Sequence, residues 1–170
     1  MYKLCKTEKS MERQKLFQTT LLSMMKKQKY HDISVTSLCK EMEIPRKAFY
    51  RYFDSLEDVL FLIFDVTLTE SFLFLEVKTD VTGFFNYWKK HKSFLDVLEK
   101  NGLSHLLATR LQQRLNHTIN NNQLVMQELR YAGYISAIMT ILLIWHHAGM
   151  QQSAEEISQQ VREMFSLKEK

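Results

Sequence analysis

Proline appears once in this chain, at Pro45, and glycine only four times. So few turn formers exclude a hairpin-rich sheet protein, because tight hairpins draw on Gly, Asn-Gly or Pro at their corners. Long helices need neither residue in their interiors, so the expected class is all-α. Cysteine is equally scarce. Cys5 and Cys39 stand far apart and outside any metal-type spacing, which argues against a disulfide framework or a zinc module and for a reducing, cytoplasmic setting. The opening stretch MYKLCKTEKSMERQK has no apolar core of the kind a secretion signal requires. From Tyr131 to Ala154 there is no Asp, Glu, Lys or Arg. The dense apolar part, Ile135 to Trp145, is shorter than a bilayer span and is followed by His146, His147, Gln151 and Gln152. A buried or interface helix is expected there, not a membrane segment.

Catalytic constellations are also missing. The sequence has no Ser-His-Asp pattern, no paired carboxylates and no Gly-rich phosphate loop. His91, His105 and His117 lack ligand spacing. The neighbouring pair His146-His147 would point in two directions from one helix, with no acidic or Cys partner a turn away. No enzyme activity, cofactor or metal is expected.

What is present is a 45% hydrophobic composition, enough for a packed core, and an uneven charge. Residues 1–60 hold 12 Lys and Arg against 8 Asp and Glu, whereas residues 61–170 hold 11 of each. The whole excess of +4 lies in the N-terminal third. A basic patch is the footprint of phosphate binding, although an excess this small also fits an ordinary solvated face.

The period of the apolar residues gives about eight helices, or nine if one of the longer ones is broken. A first helix spans about Thr7 to Gln28, with Leu16, Phe17, Thr20, Leu21, Met24 and Met25 as its stripe. Ser34 is placed to cap a second helix over about Val35 to Met42. Pro45 suits the first turn of a third, expected to reach Phe53. Val35, Leu38, Met42, Ile44 and Phe49 are the expected buried set of this pair, and Cys39 is small where the two helices cross. Ser55-x-x-Asp58 has a capping-box layout before a fourth helix reaching about Val77. Lys78 to Gly83 reads as a loop, Phe84 to Lys100 as a helix closed by Asn101-Gly102, and Leu103 to Ile119 as another. Asn120 to Asn122 reads as a turn, and Val125 to Ala148 as a long helix ended by Gly149. A last helix follows a second capping box at Ser153-x-x-Glu156.

The segment Val35 to Tyr52 is the most informative. Two short helices around a tight turn, the second bearing Arg46, Lys47, Tyr50, Arg51 and Tyr52, form a helix-turn-helix pattern whose second helix would lie in a DNA major groove. Next to Pro45, and with Tyr50 one turn on, Arg46 and Lys47 read as base or phosphate contacts in preference to plain surface cations. Lys3, Lys6 and Lys9 read as a frayed terminus in preference to an arm along the DNA.

Ile33-Ser-Val-x-x-Leu-Cys and Ile44-Pro-Arg-Lys-Ala-Phe-Tyr-Arg-Tyr-Phe-Asp-Ser-Leu-Glu-Asp-Val-Leu60 resemble the tetracycline-repressor (TetR/AcrR) family of bacterial regulators. The end of the chain, Trp145-x-x-x-Gly149-x-x-x-Ser153-x-x-Glu156-Ile157, is similar to a subset that includes regulators linked to dihydroxyacetone kinase. The resemblance implies a three-helix DNA-binding head over residues 1–54 and a helical effector and dimerisation body over 55–170. It implies a cytoplasmic homodimer on a near-palindromic double-stranded operator, acting as a repressor that responds to a small effector. A protein-interaction module or co-activator controlled by a partner protein is the alternative. Carried over by position, Arg46, Lys47, Tyr50, Arg51 and Tyr52 would face DNA, Thr36 would stand near a phosphate or base edge, and Ser34 would cap the second helix. The dimer interface would use Gly133, Ala137, Ile138, Ile141, Leu142 and Trp145, with Gly133-x-x-x-Ala137 permitting close helix approach. The Phe- and Met-rich body suggests an apolar effector, but no effector residue is identified by the sequence. Three positions depart from the family pattern. Glu43 stands where Gly is usual, Leu56 where a phosphate-touching Lys is common, and Ala48 where Thr is common.

Overall fold

The computed structural model describes residues 2, 3, 5, 7–76, 80–119 and 126–165. Lys6, residues 78–79 of the expected loop, the turn at 120–122, Val125 and the side chain of His117 fall outside them. Nine α-helices and no strand occur among the described residues, as the composition predicts: α1 (Glu8–Lys27), α2 (Val35–Glu41), α3 (Arg46–Phe49), α4 (Leu56–Glu76), α5 (Val81–Lys90), α6 (Lys92–Lys100), α7 (Ser104–Ile119), α8 (Met126–His147) and α9 (Ala154–Phe165). A single 3-10 turn, Tyr30–Asp32, joins α1 to α2.

The helices fall into two compact units. Met1–Thr67 and Asp96–Gly102 form the first, and Leu68–Leu95 and Leu103–Lys170 the second.

The first unit is built on an aromatic centre. Phe17 of α1 is fully buried, with its ring 5.4 Å from Phe49 and 5.5 Å from Phe53, both edge-on. Leu21, Met25, Leu38, Val59 and Leu60 close round it. Of the expected buried set in the helix pair, Leu38 and Phe49 are buried, while Val35, Met42 and Ile44 are half-buried. The end of α6 belongs to this unit. Asn101 Oδ1 accepts from Tyr30 N–H at 2.7 Å and its Nδ2 donates to the Met25 carbonyl at 3.4 Å, and Lys100 donates to the carbonyl of Lys26 at 2.8 Å, so C-terminal carbonyls of α1 receive partners.

The turn between α2 and α3 is a Schellman motif. Glu43 N–H donates to the Lys40 carbonyl at 3.1 Å, and Ile44 N–H to the Cys39 carbonyl at 3.0 Å. Its left-handed position is Glu43, at φ 53°. A side chain there costs about 1 kcal/mol or more, because Cβ crowds the following carbonyl. Glu43→Gly is therefore expected to stabilise the first unit by about 1 kcal/mol, roughly 4–8 °C in Tm for a unit of this size. A midpoint that stays put or falls in thermal unfolding would show that the motif is not strained. Gly149 (φ 84°) and Met150 (φ 55°) end α8 with the same pair of bonds, Gly149 to His146 and Met150 to Trp145.

In the second unit, helix α5 packs on α9 and α7 on α8. The fully buried rings of Phe84, Phe85 and Trp88 fill the middle, and Trp145 meets Phe85 edge-on at 5.7 Å. Two expectations are corrected here. The loop ending at Gly83 is already helical from Val81, because the Asp80 carboxylate caps the Gly83 N–H at 2.8 Å. Gly83 is needed for close approach, since a Cβ there would meet the Asp80 carboxylate and come within 2.6 Å of the Phe74 ring. The single helix expected over 84–100 breaks at His91, whose ring stacks on Tyr87 at 4.1 Å and whose Nδ1 lies 2.8 Å from the Tyr87 carbonyl. The capping box at Ser153 forms in full, with Ser153 N–H on Glu156 Oε2 at 2.7 Å and Glu156 N–H on Ser153 Oγ at 3.1 Å. Those bonds hold the Glu156 carboxyl below its usual pKa.

Candidate nucleic-acid interface

The second half of the helix-turn-helix is short. Regular helix ends at Phe49, not at Phe53, and a turn carries the chain through Tyr52. Beyond Phe49 the helical pattern persists in the bonds of Tyr50 N–H to the Arg46 carbonyl at 3.4 Å and of Phe53 N–H to the Phe49 carbonyl at 3.1 Å, while Tyr52 N–H makes the tighter bond to Phe49 at 2.9 Å. Phe49 points inward and anchors the segment. On the opposite side Arg46, Lys47, Tyr50 and Arg51 are all exposed. They stand one turn apart or adjacent, so three cations and a phenol share one outward surface.

Two of these side chains are already joined. Arg46 Nη2 donates to the Tyr50 hydroxyl at 3.1 Å, and the guanidinium lies 5.9 Å from the Tyr50 ring centre. The Tyr50 ring leans edge-on against Phe49 at 5.4 Å. The phenol is thus positioned by the core and in turn positions Arg46, while its own O–H stays available to an acceptor. Tyr52 is placed differently. It is half-buried, and its ring packs on Phe17 at 5.9 Å and Phe53 at 6.5 Å.

At the start of α2, Ser34 accepts from Ser37 N–H at 3.0 Å, and Ser37 Oγ accepts from Ser34 N–H at 2.9 Å. The Ser34 side chain is therefore engaged as a cap. Thr36 is exposed in the first turn of the same helix. Burial pushes the Cys39 thiol above its usual pKa, and the charge of Arg46 offsets this only in part. Cys39 is a buried packing residue where α2 meets α3.

A groove of about 390 Å³ runs beside α3. Thr7, the N-cap of α1, with Lys9, Ser10 and Arg13 of that helix forms one wall, and Ile44, Pro45, Ala48, Arg51 and Tyr52 the other. Lys9, Arg13 and Arg51 give it three cations. Arg13 was not singled out from the sequence, because it lies on a helix read only for its apolar stripe.

The residues expected at a dimer interface divide into two groups. Ile138, Leu142 and Trp145 are buried within the chain's own core. Ala137 and Ile141 are half-buried and Gly133 is exposed. The face of α8 left open carries Leu129, Gly133, Ser136, Thr140 and Ile144 at three- and four-residue spacing, and Ile144 is 64% exposed. On α9, Met164 and Phe165 are also exposed, and the Phe165 ring meets Tyr134 of α8 at 4.8 Å. The stretch Glu128–His147 is long and apolar enough to cross a membrane by length and composition alone, longer than the core of the segment suggested. One side of it packs against the second unit's own helices, and its open side carries Ser136 and Thr140 among the apolar residues.

No family model and no curated protein matches the chain. Among solved structures, the dihydroxyacetone kinase operon activator DhaS is similar, with a TM-score of 0.55 at 18% identity over 89% of this chain and 92% of that one. At that identity the likeness is one of fold, and it extends over both units.

Proposed function

We propose that the chain is a homodimeric, sequence-specific DNA-binding transcriptional regulator of the tetracycline-repressor type, with each subunit reading half of a near-palindromic double-stranded operator. The exposed cationic surface of α3, held outward by the buried Phe49, carries this reading. Arg46 is the base reader. A guanidinium can bridge O6 and N7 of guanine, worth roughly 1–3 kcal/mol of discrimination. Lys47 and Arg51 neutralise phosphates, and the Tyr50 hydroxyl donates to a phosphate oxygen while accepting from Arg46. Thr36 contacts the backbone at the start of α2, and Tyr52 supports α3 from its half-buried site. Lys9 and Arg13 extend the phosphate track into the groove along α1.

Selection of bound fragments from a random DNA pool should return a palindrome. Arg46→Ala should then relax preference at one base position per half-site. Tyr50→Phe should weaken all sites alike, because it removes a register contact. No enrichment at low salt would overturn the proposal.

We assign dimerisation to the open face of α8 together with α9; an operator of two half-sites one turn apart asks for two α3 helices in successive major grooves, about 34–36 Å apart. A repressor of this kind releases DNA when a ligand favours the other spacing. Trp88 and Trp145 support an effector site in the second unit. Both indole N–H groups are buried with no acceptor among the described residues, and a buried N–H left so costs about 1–3 kcal/mol unless something accepts it. A small, largely apolar effector with an oxygen acceptor would satisfy them.

The name of the fold neighbour, an operon activator, favours a second reading, in which the same dimer activates transcription. Deleting the gene separates the two. Transcripts next to the selected operator rise if the chain represses and fall if it activates.

A further inference from the structure

The segment before α1 is pinned at Lys3 and not frayed there. Lys3 N–H donates to the Tyr52 carbonyl at 3.0 Å, and the Lys3 ammonium donates to the Tyr50 carbonyl, also at 3.0 Å. These are C-terminal carbonyls of the α3 segment, which a helix leaves without internal donors. A cation at that end also suits the helix dipole. Lys3 is itself held from behind. Gln14 of α1 is only 7% exposed, and its Nε2 donates to the Lys3 carbonyl at 2.8 Å. One residue earlier, the Tyr2 hydroxyl donates to Asp65 of α4 at 2.5 Å. A strap anchored on α1 and α4 therefore closes over the end of a helix too short to hold its own shape.

We propose that Lys3 and Gln14 are positioning residues that lock the last turn of α3, and so fix the direction in which Arg46, Tyr50 and Arg51 project. Lys3 serves through the Tyr50 carbonyl and does not neutralise a DNA phosphate. Gln14 is the buried anchor. Without its amide the Lys3 carbonyl loses its short, buried donor and keeps the long contact from Cys5 Sγ at 3.9 Å, and the strap opens. The proposal takes α3 as the DNA-contacting helix from the reading above, but its first test needs no DNA.

Native-state hydrogen exchange on the whole protein is that test. Each hydrogen bond of this kind contributes about 0.5–1.5 kcal/mol, so Lys3→Ala and Gln14→Leu should each speed exchange of the 50–53 amides roughly 3- to 10-fold. Amides of α2 should be unchanged, as should the 50–53 amides in Lys15→Ala on the exposed side of α1. Lys3→Arg should restore most of the protection. Unchanged exchange at 50–53 in Lys3→Ala overturns the proposal, and so does equal acceleration throughout the first unit. Lys3→Ala carries this decision even where Gln14→Leu does not fold. On DNA obtained by selection, Lys3→Ala should lower affinity while keeping the salt slope. A slope smaller by about 1 would make Lys3 a phosphate contact and also overturn the proposal. If no DNA is enriched, the functional reading fails alone, and exchange still decides the strap.

Discussion

Phe17→Ala is expected to remove about 3–5 kcal/mol from the first unit and, on the proposed function, to abolish DNA binding without changing any of the exposed side chains of α3. The figure is that of a large aromatic cut back to a methyl in a packed core. Phe17 stands toward its upper end, because the ring is fully buried and meets Phe49, Tyr52 and Phe53 within 6 Å. Edge-on pairs add about 0.5–1.5 kcal/mol each beyond the area they bury. Domains this small have only about 5–15 kcal/mol in total, so the loss leaves α3 without a floor. Both tryptophans lie in the second unit. Their fluorescence reports that unit, while far-UV circular dichroism sees every helix. In urea, Phe17→Ala should lose part of its helical signal well before the tryptophan transition. Phe17→Leu, which keeps most of the volume, should lose far less. A shift below about 1 kcal/mol for Phe17→Ala would mean that the aromatic cluster does not hold the unit together.

Local chemistry is what made much of this fold readable in the sequence. Ser34 and the Ser153–Glu156 pair are caps whose residue types and spacing specify the bonds observed. The shortage of Gly and Pro gave the class. Glu43 at the turn matched a backbone that needs φ > 0, and the chain adopts it with the strained residue in place. Position-specific contacts between distant segments were not readable. The break at His91 falls where the apolar stripe skips one turn, with His91 and Lys92 between Trp88 and Phe94, and a single skipped turn does not by itself tell a helix break from a continuous helix. Lys3 looked like a loose end because its partners, Tyr50 and Tyr52, lie some fifty residues away and receive it with carbonyls. Gln14 did carry a signal that went unread. It falls three residues before Phe17 and seven before Leu21, on the buried stripe of α1, and a polar residue at such a position calls for a partner.

The same limit applied to α8, and there it decides the second large prediction. Apolar residues surround that helix, so its sequence could not say which side meets the core and which meets a partner. Ile138, Leu142 and Trp145 face inward, and Ile144 projects from the other side at 64% exposure. In a two-fold dimer each substitution on the open face is met twice. A buried, unpaired carboxylate costs several kcal/mol. Ile144→Asp should therefore weaken dimerisation by about 4 kcal/mol or more, roughly a thousandfold in Kd. Sedimentation equilibrium at micromolar concentration should find the mass of two chains for the wild type and of one for Ile144→Asp, with helix content intact. Ile138→Asp should instead unfold the second unit, because the charge enters the chain's own core. A monomeric wild type would remove the dimer, and an Ile144→Asp protein that remains a dimer would place the interface elsewhere. Half a palindrome is all that a monomer can read, so Ile144→Asp should also lose operator affinity while every side chain of α3 stays as it was.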